Sequence, residues 1–520
     1  MAAGSGVDGV APRDGGDLAT MTRNGSEVPP VVPPPGCPGP DRASGLRHLL
    51  VIVLAPLLAS AAILIVGSTR LDSPFSTDFV GFNTAVWATG SQAVRADGWW
   101  DTRLGAEAGL SAKNVPYAHH PPLVRVEVAV SEMLLGEHRW VDRLPALLSS
   151  LAAIWLCWGW LGACKFSPGS RSLGVLALGG TGLMLSYGVM LNMEAIWLPF
   201  AFALLWAWQR AERRSGGFWS CFVLGVIGCT AAHQGMLLVG ALAALGVIQA
   251  VRARRRPRPH EAAAIAASAV GVGLFATWVI WASGGLSDLV RIAGERSSDD
   301  YSWTEFLRTQ VLHSRALFGV VGLICLAAGA LFVRRRPDLV GQMAVIWAVT
   351  GAYALGFRQG ATIHLYWNAA LVPAIALGGA LLGDRLLRSG DVYLRVACVA
   401  AAAMMFLSAM AAGYATVHSD SLGLLARLAG ERQVTALYST QLVAEWATYE
   451  SGGPVEPAYT CAAVRRVAAS SPDAGVLTSA AWLRDVGAGA DGWGQVVASP
   501  DSTVGDGFAL TSARTLASAC

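Results

Sequence analysis

Charge is scarce in this chain. Of its 520 residues 14% are charged and 54% are hydrophobic, against about 25% charged in soluble domains. Mean hydropathy is +0.47. These values exclude an ordinary soluble enzyme and predict a polytopic membrane protein. The net charge is only +3, so no basic excess favours nucleic acid. Nine cysteines are scattered, and no pair has zinc-like spacing. Cys157, Cys164, Cys221, Cys229, Cys325 and Cys398 sit in or beside apolar runs, where a free thiol behaves as a small hydrophobe. No internal repeat and no cleavable signal peptide are evident. Residues 1–45 are rich in Gly, Pro and Asp, with Pro29-Pro30 and Pro33-Pro34-Pro35. Such a segment cannot bury enough apolar surface to fold and reads as a disordered cytoplasmic tail.

What the chain does have is long apolar runs. Crossing a bilayer takes about 20 apolar residues per helix. Runs near 48–66, 143–163, 172–190, 194–209, 217–233, 235–251, 262–283, 315–333, 339–356, 361–382 and 393–413 predict about eleven spans. Basic residues in short loops set the orientation. Arg42 and Arg47 precede the first span, Lys165 and Arg171 follow the second, and Arg210, Arg213 and Arg214 follow the fourth. Arg252, Arg254, Arg255, Arg256 and Arg258 follow the sixth, Arg334 to Arg336 the eighth, and Arg385 and Arg388 the tenth. All share one side if the N-terminus is cytoplasmic. The C-terminus, the long loop 67–142 and the acidic loop near 284–314 then lie outside. An all-α membrane domain over 46–414 and a small extracytoplasmic α/β domain over 415–520 are expected. In the latter, Gly475 to Thr478 and Gln495 to Ala498 read as strands and Ala462 to Ala469 as helix. Cys461 and Cys520 share that oxidising space, and a disulfide between them is expected.

Several polar residues sit at the outer ends of these spans. Asp78 follows Ser76-Thr77 and precedes Phe79-Val80-Gly81-Phe82; it is either a helix cap or a general base just below the membrane surface. His119-His120-Pro121-Pro122-Leu123 places two imidazoles before two prolines that hold the chain extended. Such imidazoles donate to phosphate, accept a proton or bind metal; the alternative is a polar turn. Adjacent histidines are expected to point apart, with His120 at the site. Glu194 opens the fourth span, where an ionisable side chain is usually functional. His233-Gln234-Gly235 interrupts an apolar stretch and predicts an outer turn. Arg143, Arg358, His364 and Tyr366 are either interface anchors or, for the arginines, a grip on a lipid phosphate.

The ordered set resembles the GT-C superfamily of membrane glycosyltransferases, in its protein O-mannosyltransferase and aminoarabinose-transferase branch. Asp78 matches the acidic residue after the first helix, His120-Pro121-Pro122-Leu123 the basic residue before Pro-Pro-Leu, and Arg143-Leu144-Pro145 the Arg-hydrophobic-Pro motif. Glu194 matches the acid opening the fourth span, His233-Gln234-Gly235 loosely matches a basic residue plus Gly, and His364-Leu365-Tyr366 matches a late His-x-Tyr. The resemblance implies transfer of a sugar from a polyprenyl-phosphate donor with inversion, to a cell-wall polysaccharide, glycolipid or protein acceptor. It makes Asp78 the general base, acting alone or recruiting Glu194 as a second catalytic acid, with His119, His120, Arg143, His233, Arg358, His364 and Tyr366 around donor and leaving phosphate. Some relatives hold a divalent metal near the acids, for which Asp78, Glu194 and His120 would serve. The chain departs from the pattern in three places: Phe79 stands where many relatives have a second acid, His120 where many aminoarabinose enzymes have Lys, and His233-Gln234-Gly235 where they have Lys-Gly. A transporter, or a relative that binds lipid-linked sugar without transferring it, is the alternative. The Ala-, Gly- and Arg-rich composition suggests a high-GC bacterial genome.

Overall fold

The structure is a computed structural model that describes residues 42–73, 75, 79–106, 118–214, 216–298, 301–416, 421–434, 436–440, 445–451, 455–505 and 507–520. The chain divides into two units, Met1–His48 and Leu49–Cys520. Of the first, only the opening residues of α1 (Arg42–Arg70) are described, so most of the expected tail lies outside the described residues.

The long loop after α1 contains two helices, α2 (Phe79–Asp97) and α3 (Leu123–Leu135). The membrane domain continues with α4 (Arg139–Ala163), α5 (Pro168–Gly179), α6 (Gly182–Ser186), α7 (Met193–Arg213), α8 (Phe218–Ala231), α9 (His233–Arg252) and α10 (Pro259–Ser283). It closes with α11 (Ser287–Arg296), α12 (Trp303–Phe332), α13 (Pro337–Gly356), α14 (Arg358–Ile363), α15 (Val372–Ser389) and α16 (Asp391–Thr416). Eight of the described helical stretches are long and apolar enough to cross a membrane, and Phe218–Ala231 is a shorter apolar helix.

The apolar run 172–190 is not one helix. It breaks into α5 and α6 because the Thr181 hydroxyl accepts the Met184 N–H and caps a new helix. Just before the break, Gly179 packs so closely on α1 that a Cβ there would lie 2.7 Å from that of Ala59. The run 361–382 is also divided, with a 3-10 turn over Leu365–Leu371 between α14 and α15. α12 starts earlier than its apolar run and is kinked at Gly319, whose φ of 62° suits glycine.

The C-terminal part contains α17 (Ser421–Glu431), β1 (Leu437–Ser439), α18 (Glu445–Ser451), β2 (Val455–Pro457), α19 (Cys461–Ser470) and β3 (Gly475–Ser479). It ends with α20 (Ala480–Asp485), α21 (Gly489–Ala498), β4 (Thr503–Gly505), β5 (Phe508–Ser512) and α22 (Ala513–Ala519). The sheet order is β2-β1-β3-β5-β4, parallel on one side and antiparallel on the other. Gln495 to Ala498 belongs to helix α21, not to a strand. Gly492 and Val496, four residues apart, both turn inward, and a four-residue apolar run cannot by itself separate the two periods. Cys461 and Cys520 form a disulfide joining α19 to the end of the chain.

Alternation along β3 sends neighbouring side chains to opposite faces. Val476 packs with Val464, Val496 and Leu516. Leu477 packs with Leu425, Leu437 and Leu510, and that cluster also contains Phe75, Ala85 and Ala88 from the long loop after α1. The C-terminal domain therefore shares a core with α2.

Candidate active site

A cavity of about 560 Å³ opens between α2, α7, α9, α10, α11 and α13. On one wall, Asn192 caps α7: its Oδ1 accepts the Met193 N–H at 2.9 Å and the Trp87 indole N–H at 3.2 Å. This positions Glu194 in the first helical turn, where the helix dipole favours a carboxylate. Gln234 Nε2 donates to Glu194 Oε1 at 3.1 Å. Glu194 Oε2 is buried and has no hydrogen-bond partner among the described residues.

The second wall is a group of histidines. The α8–α9 turn falls at Ala232, so His233 opens α9 and reaches the carbonyl of His119 with Nε2 at 3.0 Å. The Trp278 indole N–H donates to the carbonyl of His120 at 3.0 Å. Ring centroids lie 4.3 Å apart for His119 and His120 and 5.3 Å apart for His120 and His233. The two adjacent histidines do not divide into one inside and one outside. Their carbonyls are both used as anchors, and both residues line the cavity. Burial, with smaller contributions from His233 and Arg125, lowers the His119 pKa to about 3. Burial and His119 likewise push His120 well below the usual imidazole range. Both rings are therefore neutral near pH 7, each with one N–H donor and one acceptor nitrogen.

A third wall is α11, an amphipathic helix whose residues line the cavity. Its Arg291 pairs with Asp288 and, at 2.6 Å, with Glu295. Arg296 lines the same cavity but carries no ion pair to another described residue. In the same cavity lining, the Tyr366 hydroxyl donates toward Asn83 Oδ1 at 3.4 Å and lies 3.1 Å from His364 Nδ1. This links α2 to the 3-10 turn.

The structure thus brings together His119, His120, Glu194, His233, His364 and Tyr366. It does not bring Arg143 or Arg358 into the cavity lining. Arg143 Nη1 donates to the carbonyls of Leu71 at 2.9 Å and Ser73 at 2.6 Å, and its guanidinium lies 4.5 Å from the centre of the Phe75 ring. Arg358 opens α14 and stacks over Trp303 at 4.7 Å. Asp78 lies outside the described residues, but Asn83, five positions later in sequence, is in the wall. No three His, Cys, Asp or Glu side chains among the described residues converge as metal ligands. One Glu194 oxygen is already taken by the Gln234 amide, so the described donors do not make a metal site. Sequence reasoning passed over Asn83, Asn192, Arg291 and Arg296. The helical spacing of Asp288, Arg291 and Glu295 was the available signal for α11.

Residues 119–281 match the family model for dolichyl-phosphate-mannose-protein mannosyltransferases. That segment contains His119, His120, Arg143, Glu194 and His233. Two solved structures have a similar fold. One is ArnT from Cupriavidus metallidurans bound to undecaprenyl phosphate, with a TM-score of 0.58 and 13% identity over 88% of this chain and 97% of that one. The other is the same protein in the apo state, with a TM-score of 0.50 and 13% identity over 92% and 99% of the two chains. No curated protein matches the sequence. The fold is an ArnT-like GT-C fold with a small C-terminal sheet domain, in a multi-pass membrane protein.

Proposed function

We propose that this chain is an inverting glycosyltransferase that moves a sugar from a polyprenyl-phosphate donor to a cell-envelope acceptor at the outer membrane face. The observation that carries the reading is the cavity itself, in which Arg296 and the neutral pair His119 and His120 line one volume with Glu194. The fold it shares with a protein solved with undecaprenyl phosphate supports the lipid-linked donor. The matched family segment supports the transferase class.

In this reading an acceptor hydroxyl attacks the anomeric carbon, and Asp78 takes the hydroxyl proton. The bond from that carbon to the phosphate oxygen breaks, and its electron pair leaves with the lipid phosphate. Arg296 offsets the charge that develops there, and imidazole N–H groups donate to the phosphate oxygens. Fixed donors aimed at developing charge are worth several kcal/mol in a water-poor site (roughly 3–4 kcal/mol per donor). Glu194 Oε2 is free to accept from a sugar hydroxyl or amine. Residues such as Met236, Leu237, Phe275 and Ile292 supply apolar wall for the first isoprene units.

One feature of the sequence favours a second reading, a binder of lipid-linked sugar without transfer: Phe79 stands where a second acid is common among relatives of this kind. Sugar transfer by the purified full-length protein from undecaprenyl- or decaprenyl-phosphate donors, wild type against Asp78→Asn, separates the two. Loss of about 10²-fold or more in Asp78→Asn supports the base. Equal rates eliminate Asp78 in that role. Donor binding without transfer by the wild type favours the binder.

A further inference from the structure

Two residues of the C-terminal domain hold the segment that leads to Asp78. The Phe75 backbone N–H donates to Glu450 Oε1 at 2.7 Å, in a buried contact across 375 positions of sequence. The same carboxylate is gripped by Arg139 through Nε and Nη2, both at 2.8 Å, and Arg427 lies 3.7 Å away. The neighbouring Tyr449 packs its ring 4.4 Å from that of Phe75 and donates its hydroxyl to Asp142 on α4. Arg143 adds to the grip by donating to the carbonyls of Leu71 and Ser73.

α2, which begins one residue after Asp78, is held on both sides. Ala85 and Ala88 enter the core of the C-terminal domain. Asn83 faces the cavity, the Thr84 hydroxyl accepts the Leu191 N–H at 3.2 Å, and Trp87 bonds Asn192. A shift of the C-terminal domain would therefore move both Phe75 and one wall of the cavity.

We propose that Glu450 is a positioning residue, and that the C-terminal domain clamps Phe75 and α2 so that the cavity wall formed by α2 keeps its geometry. This rests on the proposed transferase reading for its effect on rate, but the clamp itself does not need that reading. Arg139 and Arg427 fix the carboxylate; the Phe75 amide is what the carboxylate fixes.

The test uses full-length protein in detergent or nanodiscs, with Glu450→Ala and Glu450→Gln. Glutamine keeps an acceptor oxygen for the Phe75 amide and loses the charge facing Arg139. Hydrogen exchange over residues 71–84 is expected to speed up in Glu450→Ala and to return most of the way in Glu450→Gln. With a transferable donor, kcat falls roughly ten- to hundred-fold in Glu450→Ala, while donor KM changes less than threefold. A purely structural role would instead lower the folded fraction and leave kcat per folded molecule unchanged. Unchanged exchange over 71–84 together with wild-type kcat overturns the clamp. If the wild type transfers no sugar but the exchange pattern appears as expected, the clamp stands and the transferase reading fails. Should Glu450→Ala not accumulate, Tyr449→Phe keeps the ring on Phe75 and removes only the bond to Asp142. A lowered kcat at unchanged donor KM, or faster exchange over 71–84, then supports the clamp; wild-type exchange and rate overturn it.

Discussion

Gln234 donates to Glu194 at 3.1 Å from the first turn of α9, and this amide is the only side-chain donor the described structure gives the carboxylate. Both residues are buried. Glu194 Oε2 and Gln234 Oε1 have no hydrogen-bond partner among the described residues. The pair therefore holds more acceptors than donors, and Glu194 faces the cavity. A ligand that brings donors fits this imbalance, and a sugar does so.

Glu194→Gln is expected to fold normally and to lower kcat by about a hundredfold, within the range of acid–base and charge effects. Gln234→Leu removes the donor and leaves a buried carboxylate short of partners, which costs about 1–3 kcal/mol and shows as a lowered Tm in detergent. Wild-type kcat in Glu194→Gln would remove Glu194 from the site.

The two arginines of α11 predict different outcomes. Arg291 is held between Asp288 and Glu295 within one helix, so much of its charge is already answered. Arg296 has no ion pair to another described residue and lines the same cavity as His119, His120 and His364. Arg296→Ala is expected to weaken binding of undecaprenyl phosphate roughly tenfold or more, in line with loss of a charge-assisted contact, and Arg291→Ala less than threefold. Direct binding by both variants at low and at 0.5 M salt decides this. Equal losses would mean that α11 contributes only general positive potential.

The polar ends of the membrane helices were legible because a carboxylate or imidazole there stands out against an apolar run. Glu194, His233, His364 and Tyr366 were found in that way, and all line the cavity. Arg296 was not, because α11 is ten residues in a polar loop, where an arginine carries no contrast. Arg143 and Arg358 had the right composition and depth. Their guanidinium groups are instead engaged by the carbonyls of Leu71 and Ser73 and by the Trp303 ring, contacts that no local pattern reveals. The docking of Glu450 on Phe75 spans 375 positions and has no periodicity to announce it. The single-helix reading of 172–190 failed for a related reason. Hydropathy does not register a threonine cap followed by a new turn.

Glu132 gives the loop between α1 and α4 a pH dependence. Burial raises its pKa above the ordinary carboxyl range, and the neighbouring Asp142 adds to the effect. In the unfolded chain this carboxyl ionises near its ordinary value of about 4.3. The folded state therefore binds more protons above that value. Its stabilising contribution is complete below the unfolded pKa and is lost as pH rises through the raised folded value. Thermal unfolding in detergent from pH 5 to pH 9 should show Tm falling with pH, with a shallower slope in Glu132→Gln. An identical slope in the variant would mean that other groups carry the dependence.

Gly235 fixes where His233 and Gln234 stand. A Cβ at this position would lie 1.9 Å from the carbonyl oxygen of Gly228 and 2.5 Å from its carbon. α8 and α9 therefore cross backbone to backbone one residue after the donor to Glu194. No side chain can move aside to make room, so Gly235→Ala must separate the two helices and carry His233 away from the His119 carbonyl. Overpacking of this kind costs about 1–3 kcal/mol, and rigid backbone on both sides places this case at the upper end. Gly240 lies on the same helix, and a Cβ there meets only Ser268 Oγ at 3.8 Å, an ordinary contact. Gly240→Ala should leave Tm unchanged or raise it slightly, since alanine is favoured over glycine in a helix by up to about 1 kcal/mol. Gly235→Ala is expected to lower both Tm and transfer. A difference between the two variants separates a close helix crossing from a general intolerance of α9 to substitution; equal behaviour would mean that α8 and α9 do not depend on this contact to present His233 and Gln234.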